Sequence, residues 1–103
     1  MRMRWFKQLD DSRAMHFNRA AQAYRQKNYA DAISAFNDAL KEHYQSGTPY
    51  TDAQIFANLG MAYSSIRQYT TALDYLKRAR SMGLSNPSIE KELQWLRNNV
   101  GIY

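Results

Sequence analysis

At 103 residues the chain has room for one small domain, and its 45% hydrophobic content excludes a wholly disordered polymer. It has no cysteine, which excludes a disulfide framework, a CxxC redox pair and a thiolate zinc site, and fits a reducing compartment. The net charge of +5 is spread over Arg2, Arg4, Lys7 and Arg13 and over Arg67, Lys77, Arg78 and Arg80, with Asp10, Asp11 and Asp74 between them. No dense run of like charge forms, so these groups read first as a solvated surface.

Residues 1–10 are positive and carry Trp5, Phe6 and Leu9. No apolar run follows the charge, so no secretory signal is read there. Nor does any stretch approach the roughly 20 apolar residues that span a bilayer. The expectation is a soluble cytoplasmic protein without a membrane partner, with residues 1–10 as an N-terminal extension that forms at most a short helix.

Four glycines and two prolines punctuate the rest, and no alternating strand pattern occurs. The first helix is expected over about 11–26, with Asp10-Asp11 supplying negative charge at its start. A break at Lys27-Asn28 leads to a second helix over about 29–44, with Gly47 offering a left-handed stop. Thr51-Asp52-Ala53-Gln54 reads as a capping box: the Thr oxygen takes an orphan amide and the Gln side chain reaches back. It opens a third helix that ends near Ile66. After Arg67-Gln68 the fourth helix covers about 69–82 and stops at Gly83. Asn86-Pro87 opens the fifth, Asn as the cap and Pro at the first helical position. Its Ile89, Leu93, Leu96 and Val100 form one apolar stripe, and Glu90 and Glu92 suit its N-terminal end.

Shifted by 40 residues, the chain lies on itself. Asn18 falls on Asn58, Ala20 on Gly60, Tyr29 on Tyr69, Ala32 on Ala72, Ile33 on Leu73, Phe36 on Leu76 and Ala39 on Ala79. The small residues belong where two antiparallel helices approach closely, because a larger side chain would overpack the contact. Tyr29 and Tyr69 stand where a ring can plug a hairpin turn. Ile33, Phe36, Leu73 and Leu76 face inward.

The stretches Asn-Leu-Gly-Met-Ala-Tyr at 58–63, Tyr-Thr-Thr-Ala-Leu at 69–73 and Tyr-Ala-Asp-Ala-Ile-Ser-Ala-Phe-Asn-Asp-Ala-Leu at 29–40 resemble the tetratricopeptide repeat. The resemblance implies an all-α fold, an antiparallel helix-hairpin superhelix (an α-α solenoid) of about five helices. It implies a single domain over 11–99, with repeat 1 at about 13–46, repeat 2 at about 52–85, a capping helix at 86–99 and a tail at 100–103. The family period is about 34 residues, against 40 here. The excess lies between Leu40 and Asp52, in a longer second helix or a longer loop. His16, Arg19 and Arg80 stand where the family usually has apolar residues.

The family lines a concave face with the first helix of each repeat. The resemblance therefore implies a peptide-binding groove of Phe17, Ala21, Tyr24, Arg25, Ala57, Asn58, Met61, Ser64 and Ser65. The fifth helix would add Glu90, Gln94 and Arg97. Tyr and Met give adaptable apolar contact, and Asn can bind a peptide amide. The family's carboxylate clamp for chaperone C-terminal tails uses Lys and Asn at the positions held here by Phe17 and Ala21. Such a tail is therefore not the expected ligand; a protein or peptide with apolar or aromatic side chains is. Trp5, Phe6, Leu9, Val100, Ile102 and Tyr103 are candidates for self-association into a homo-oligomer, docking in cis or in trans.

No GxSxG, GxxxxGK or HExxH motif occurs, and His16 and His43 have no acidic ligand set at a suitable spacing. No enzymatic activity, metal or cofactor is expected. The function read from the sequence is a protein-interaction module or scaffold. The alternative is a basic helical protein that binds nucleic acid through its cations and aromatic rings.

Overall fold

A computed structural model describes the backbone of residues 2–44 and 47–101 and the side chains of residues 12–44 and 47–101. Five helices follow one another: α1 (Arg2–Arg25), α2 (Tyr29–Lys41), α3 (Asp52–Ser65), α4 (Tyr69–Ser81) and α5 (Pro87–Asn99). No strand occurs among the described residues. The helices α1 and α2 pack as one hairpin and α3 and α4 as a second. α3 rests on α2, and α5 on α4. The fold is an all-α helical repeat, as the sequence implied.

The two hairpin turns are the same turn made twice. Lys27 and Arg67 adopt left-handed backbone conformations, with φ of 62° and 65°. The Lys27 amide donates to the Tyr24 carbonyl and the Asn28 amide to the Ala23 carbonyl, at 2.9 and 2.8 Å. Forty residues on, the Arg67 amide donates to the Ser64 carbonyl and the Gln68 amide to the Tyr63 carbonyl, at 3.0 and 2.9 Å. This is the paired closure of a Schellman motif, which satisfies the last carbonyls of a helix. Gly83 ends α4 by the same bonds, with φ of 94°.

Small residues bring the paired helices together. Ala20, Ala32, Ala39, Ala72 and Ala79 are all fully buried, as is Leu76; Gly60 is buried and Phe36 nearly fully so. Buried side chains form two clusters, one from α1 to α3 around Phe36, Ile55 and Leu59, the other from α3 to α5 around Leu76, Ile89, Leu93 and Leu96. Phe56 packs against both and joins them. α5 is capped as its sequence implied: the Asn86 carboxamide oxygen accepts from the Ile89 amide at 3.0 Å, with Pro87 in the first turn. At α3, Thr51 Oγ1 accepts from the Gln54 amide at 3.1 Å, which is half of the expected capping box; among the described residues the Gln54 side chain makes no return bond to Thr51.

Several expectations are corrected. The first helix begins at Arg2, not near Asp11, because no glycine or proline interrupts residues 2–25. Asp10 and Asp11 thus lie inside α1 rather than at its N-terminus. Helix α2 ends at Lys41, so it matches α4 at 13 residues and the extra chain is loop. Gly47, with φ of 92°, turns within that loop and does not stop a helix.

The loop is fastened by Arg13, which is 3% exposed. Its Nε donates to the Tyr50 carbonyl at 2.7 Å, Nη1 to the Glu42 carbonyl at 2.8 Å and Nη2 to Asp52 Oδ1 at 2.5 Å. The guanidinium also lies 5.4 Å from the centre of the Tyr44 ring. A planar five-donor fork suits three acceptors that converge from both ends of one loop. Arg13 is therefore an internal fastener, not part of a basic surface. Beside it, His16 Nε2 lies 3.6 Å from a Glu42 carboxylate oxygen, and Arg19 Nη2 lies 3.6 Å from Asp38. These polar residues at apolar family positions pair α1 with the α2 side.

Candidate functional site

Helix α3 has two working faces. Ile55, Leu59 and Ala62 are fully buried against the hairpins. Gln54, Asn58, Met61 and Ser65 recur at four, three and four residues, which puts them on one stripe of the other face. The end of α1 lies to one side of that stripe, and α5 to the other.

Two adjoining depressions run between these three helices. One, of about 330 Å³, is lined by Tyr24, Met61, Ser64, Ser65, Arg67, Tyr69, Glu92 and Trp95. The other, of about 270 Å³, is lined by Tyr24, Gln54, Ala57, Asn58, Met61, Asn86, Ser88 and Ile89. Tyr24 and Met61 border both. A further depression of about 360 Å³ on the α1–α2 flank offers Gln22, Gln26, Asn28, Asp31 and Ser34, with no aromatic ring among its lining residues.

Hydrogen bonds hold the polar lining in place. Asn58 Nδ2 donates to the Gln54 carbonyl at 2.8 Å, leaving its carboxamide oxygen for a ligand amide. Ser65 Oγ donates to the Met61 carbonyl at 3.0 Å, and the Tyr24 hydroxyl lies 3.5 Å from Ser65 Oγ. Ser64 Oγ donates to Glu92 Oε2 at 2.6 Å and so ties α3 to α5. The Tyr69 and Trp95 rings meet at 5.6 Å with 46° between their planes. Trp95 is nevertheless 43% exposed. Tyr24 is braced edge-on by Tyr29 at 5.3 Å.

Of the groove residues taken from the sequence, the structure brings Tyr24, Ala57, Asn58, Met61, Ser64 and Ser65 together around these depressions. Phe17 is placed elsewhere. Its ring packs edge-on against Phe36 at 5.4 Å and against Tyr50 at 5.1 Å, because the long loop folds over that flank of α1. Ala21 and Arg25 line neither depression. On α5, Glu90, Gln94 and Arg97 also line neither, and Glu90 instead faces Arg80 at 3.5 Å. Ser88, Glu92 and Trp95, on the opposite flank of the buried stripe, take that place.

Sequence reasoning therefore missed Gln54, Arg67, Tyr69, Asn86, Ser88, Ile89, Glu92 and Trp95 as lining residues. A signal existed for Trp95, a large aromatic beside the α5 stripe but not on it. Among the candidate self-association residues, Val100 packs onto its own chain's second core cluster. The side chains of Trp5, Phe6 and Leu9, and residues Ile102 and Tyr103, lie outside the described residues.

Among the described residues no group of three or more His, Cys, Asp or Glu side chains is placed to hold a metal ion. No helix among them is long and apolar enough to cross a membrane.

A family model for the tetratricopeptide repeat matches residues 10–84. No curated protein and no solved structure matches the chain. Tetratricopeptide repeats generally mediate protein–protein interaction and are typically not enzymes. The repeated Schellman turns, the paired small residues and a match over most of the chain lead to one assignment: this protein belongs to the tetratricopeptide-repeat family.

Proposed function

We propose that the chain is an interaction module or scaffold that holds a partner protein or peptide in the channel between α1, α3 and α5. One observation carries this reading. Six side chains from two repeats, Tyr24, Ala57, Asn58, Met61, Ser64 and Ser65, border one continuous pair of depressions together with α5. The lining combines what peptide recognition needs: polarisable and aromatic surface for side chains, and a carboxamide for backbone amides. The partner contributes apolar or aromatic side chains. An acidic chaperone tail is a poor fit, because Phe17 and Ala21 occupy the clamp positions and Phe17 packs inward.

The nucleic-acid alternative draws less support. Arg13 is buried, Arg19 faces Asp38, and Arg78 is shared between Asp74 and the ring of Tyr75. These cations are less available to phosphates. Binding to a nucleic acid that vanishes as salt rises, without sequence preference, would mark simple charge attraction.

The test is a pull-down from native extract with the parent chain, a Tyr24→Ala/Met61→Ala variant, and Ser65→Phe, which fills the channel without removing a core contact. Thr70→Ala, exposed on α4, is the control. The expected result is loss of the same bound proteins in both channel variants and retention in the control. Unchanged binding by folded channel variants would contradict the reading.

A further inference from the structure

We propose that the α5 end of this channel receives an arginine side chain of the partner. The inference rests on the channel reading above and assigns one subsite within it.

Three rings, Tyr24, Tyr69 and Trp95, border the depression at that end, with Met61 beside them. The Tyr69 and Trp95 planes are inclined by 46° instead of stacked, and Trp95 is 43% exposed, so ring surface stays open to a ligand. Ring faces attract cations through their quadrupole.

Glu92 supplies the counter-charge. It stands three residues before Trp95 on α5, hence on the same side of the helix. One of its oxygens is held by Ser64 at 2.6 Å, which fixes the carboxylate toward the depression. Of the other half-buried carboxylates among the described residues, Asp38 faces Arg19 and Lys41, and Glu42 lies 3.6 Å from the His16 imidazole, which is charged only when protonated. Glu92 makes no ion pair among the described residues. A chain with 14 Lys and Arg residues against 9 Asp and Glu has cations to spare, yet leaves this carboxylate without one. A partly desolvated carboxylate next to open rings is complementary to a cation brought by the partner.

A guanidinium fits better than an ammonium. It is planar, lies flat on a ring and donates two parallel N–H groups to a carboxylate, while its stem can cover Met61. The chain's own Arg67 borders the same depression from the hairpin tip. It is exposed, and among the described residues it forms no ion pair. Arg67 is therefore a competitor for the subsite, and its removal should strengthen binding.

The test follows the Trp95 indole N–H by NMR during titration with acetyl-Gly-Arg-Gly-amide and with matched peptides carrying citrulline, norleucine or glutamate. Citrulline keeps the shape of arginine without its charge. The expected result is a saturable shift, with the arginine peptide bound at least five-fold more tightly than the citrulline peptide. Glu92→Gln, which can keep the Ser64 bond, should erase that preference, and Arg67→Gln should increase affinity for the arginine peptide. Equal binding of arginine and citrulline, tighter binding of the glutamate peptide, or a preference that survives Glu92→Gln would each overturn the proposal. A norleucine peptide that shifts Trp95 and Met61 while the arginine peptide does not would overturn the subsite and leave the channel reading standing. If no peptide shifts Trp95, the arginine subsite falls, and the pull-down decides the channel by itself.

Discussion

Gly60 and Leu76 meet where α3 crosses α4: a Cβ on Gly60 would stand 2.6 Å from Leu76 Cγ and 3.1 Å from the Ala72 carbonyl oxygen. The first hairpin has Ala20 at the matching position, fully buried, so one crossing accepts a methyl and the other does not. The clash falls on the branch point of Leu76 and on backbone, neither of which can swing aside. Gly60→Ala should therefore destabilise by about 1–2 kcal/mol, overpacking outweighing the gain in helix propensity. Ala20→Gly should also destabilise, by about 1 kcal/mol, through propensity and a lost methyl contact. Urea denaturation of both variants checks the pair. A stabilised Gly60→Ala would show that the helices do not approach as described.

The left-handed turns give predictions of opposite sign. Lys27 and Arg67 hold positive φ with side chains that disfavour it. Lys27→Gly should stabilise by about 0.5–1 kcal/mol, and adding Arg67→Gly should contribute a similar, nearly additive amount from a separate hairpin. Gly83→Ala should destabilise by about 1 kcal/mol for a purely backbone reason, since nothing lies within 4 Å of a Cβ placed there. Thermal unfolding measures all three.

Arg13 should be the most sensitive charged residue. Arg13→Ala strands two loop carbonyls and Asp52, and should cost about 2–3 kcal/mol. Arg13→Lys keeps the charge but loses the fork, and should cost about half of that. Asp52→Asn should cost less than about 1 kcal/mol, because Asp52 is half-exposed. That order in chemical denaturation is the check; a neutral Arg13→Ala would mean that the loop is held by other contacts.

The cap at α5 links stability to the channel. Asn86→Ala removes the acceptor of the Ile89 amide and should cost about 1 kcal/mol. Hydrogen exchange should quicken in the first turn of α5 while the α1–α2 hairpin stays protected. Uniformly faster exchange would show that α5 does not open separately.

Much of this fold was legible before any coordinates. The 40-residue repeat, the matched small residues, the hairpin breaks and the Thr51 and Asn86-Pro87 caps are local patterns with local causes, and all appear in the structure. What escaped depends on contacts distant in sequence. Arg13 among scattered charges looks like any surface arginine until a loop about 30 to 40 residues away closes over it. The resemblance puts Phe17 at a groove position, and only the fold shows that Tyr50 reaches its ring from that loop. The α5 stripe was evident, but which flank turns toward α3 depends on how α5 seats on α4. The stripe alone does not tell Glu92 and Trp95, which line the depressions, from Glu90, Gln94 and Arg97, which do not.

The most direct test of the channel is site-specific photo-crosslinking in native extract, with benzoylphenylalanine in place of Met61 in one sample and of Thr70 in another. Discrete protein adducts at position 61, absent at position 70 and suppressed by Ser65→Phe in the same chain, are the predicted result. Adducts at position 70 with none at position 61 would place the binding surface on the other side of the repeats and contradict the account.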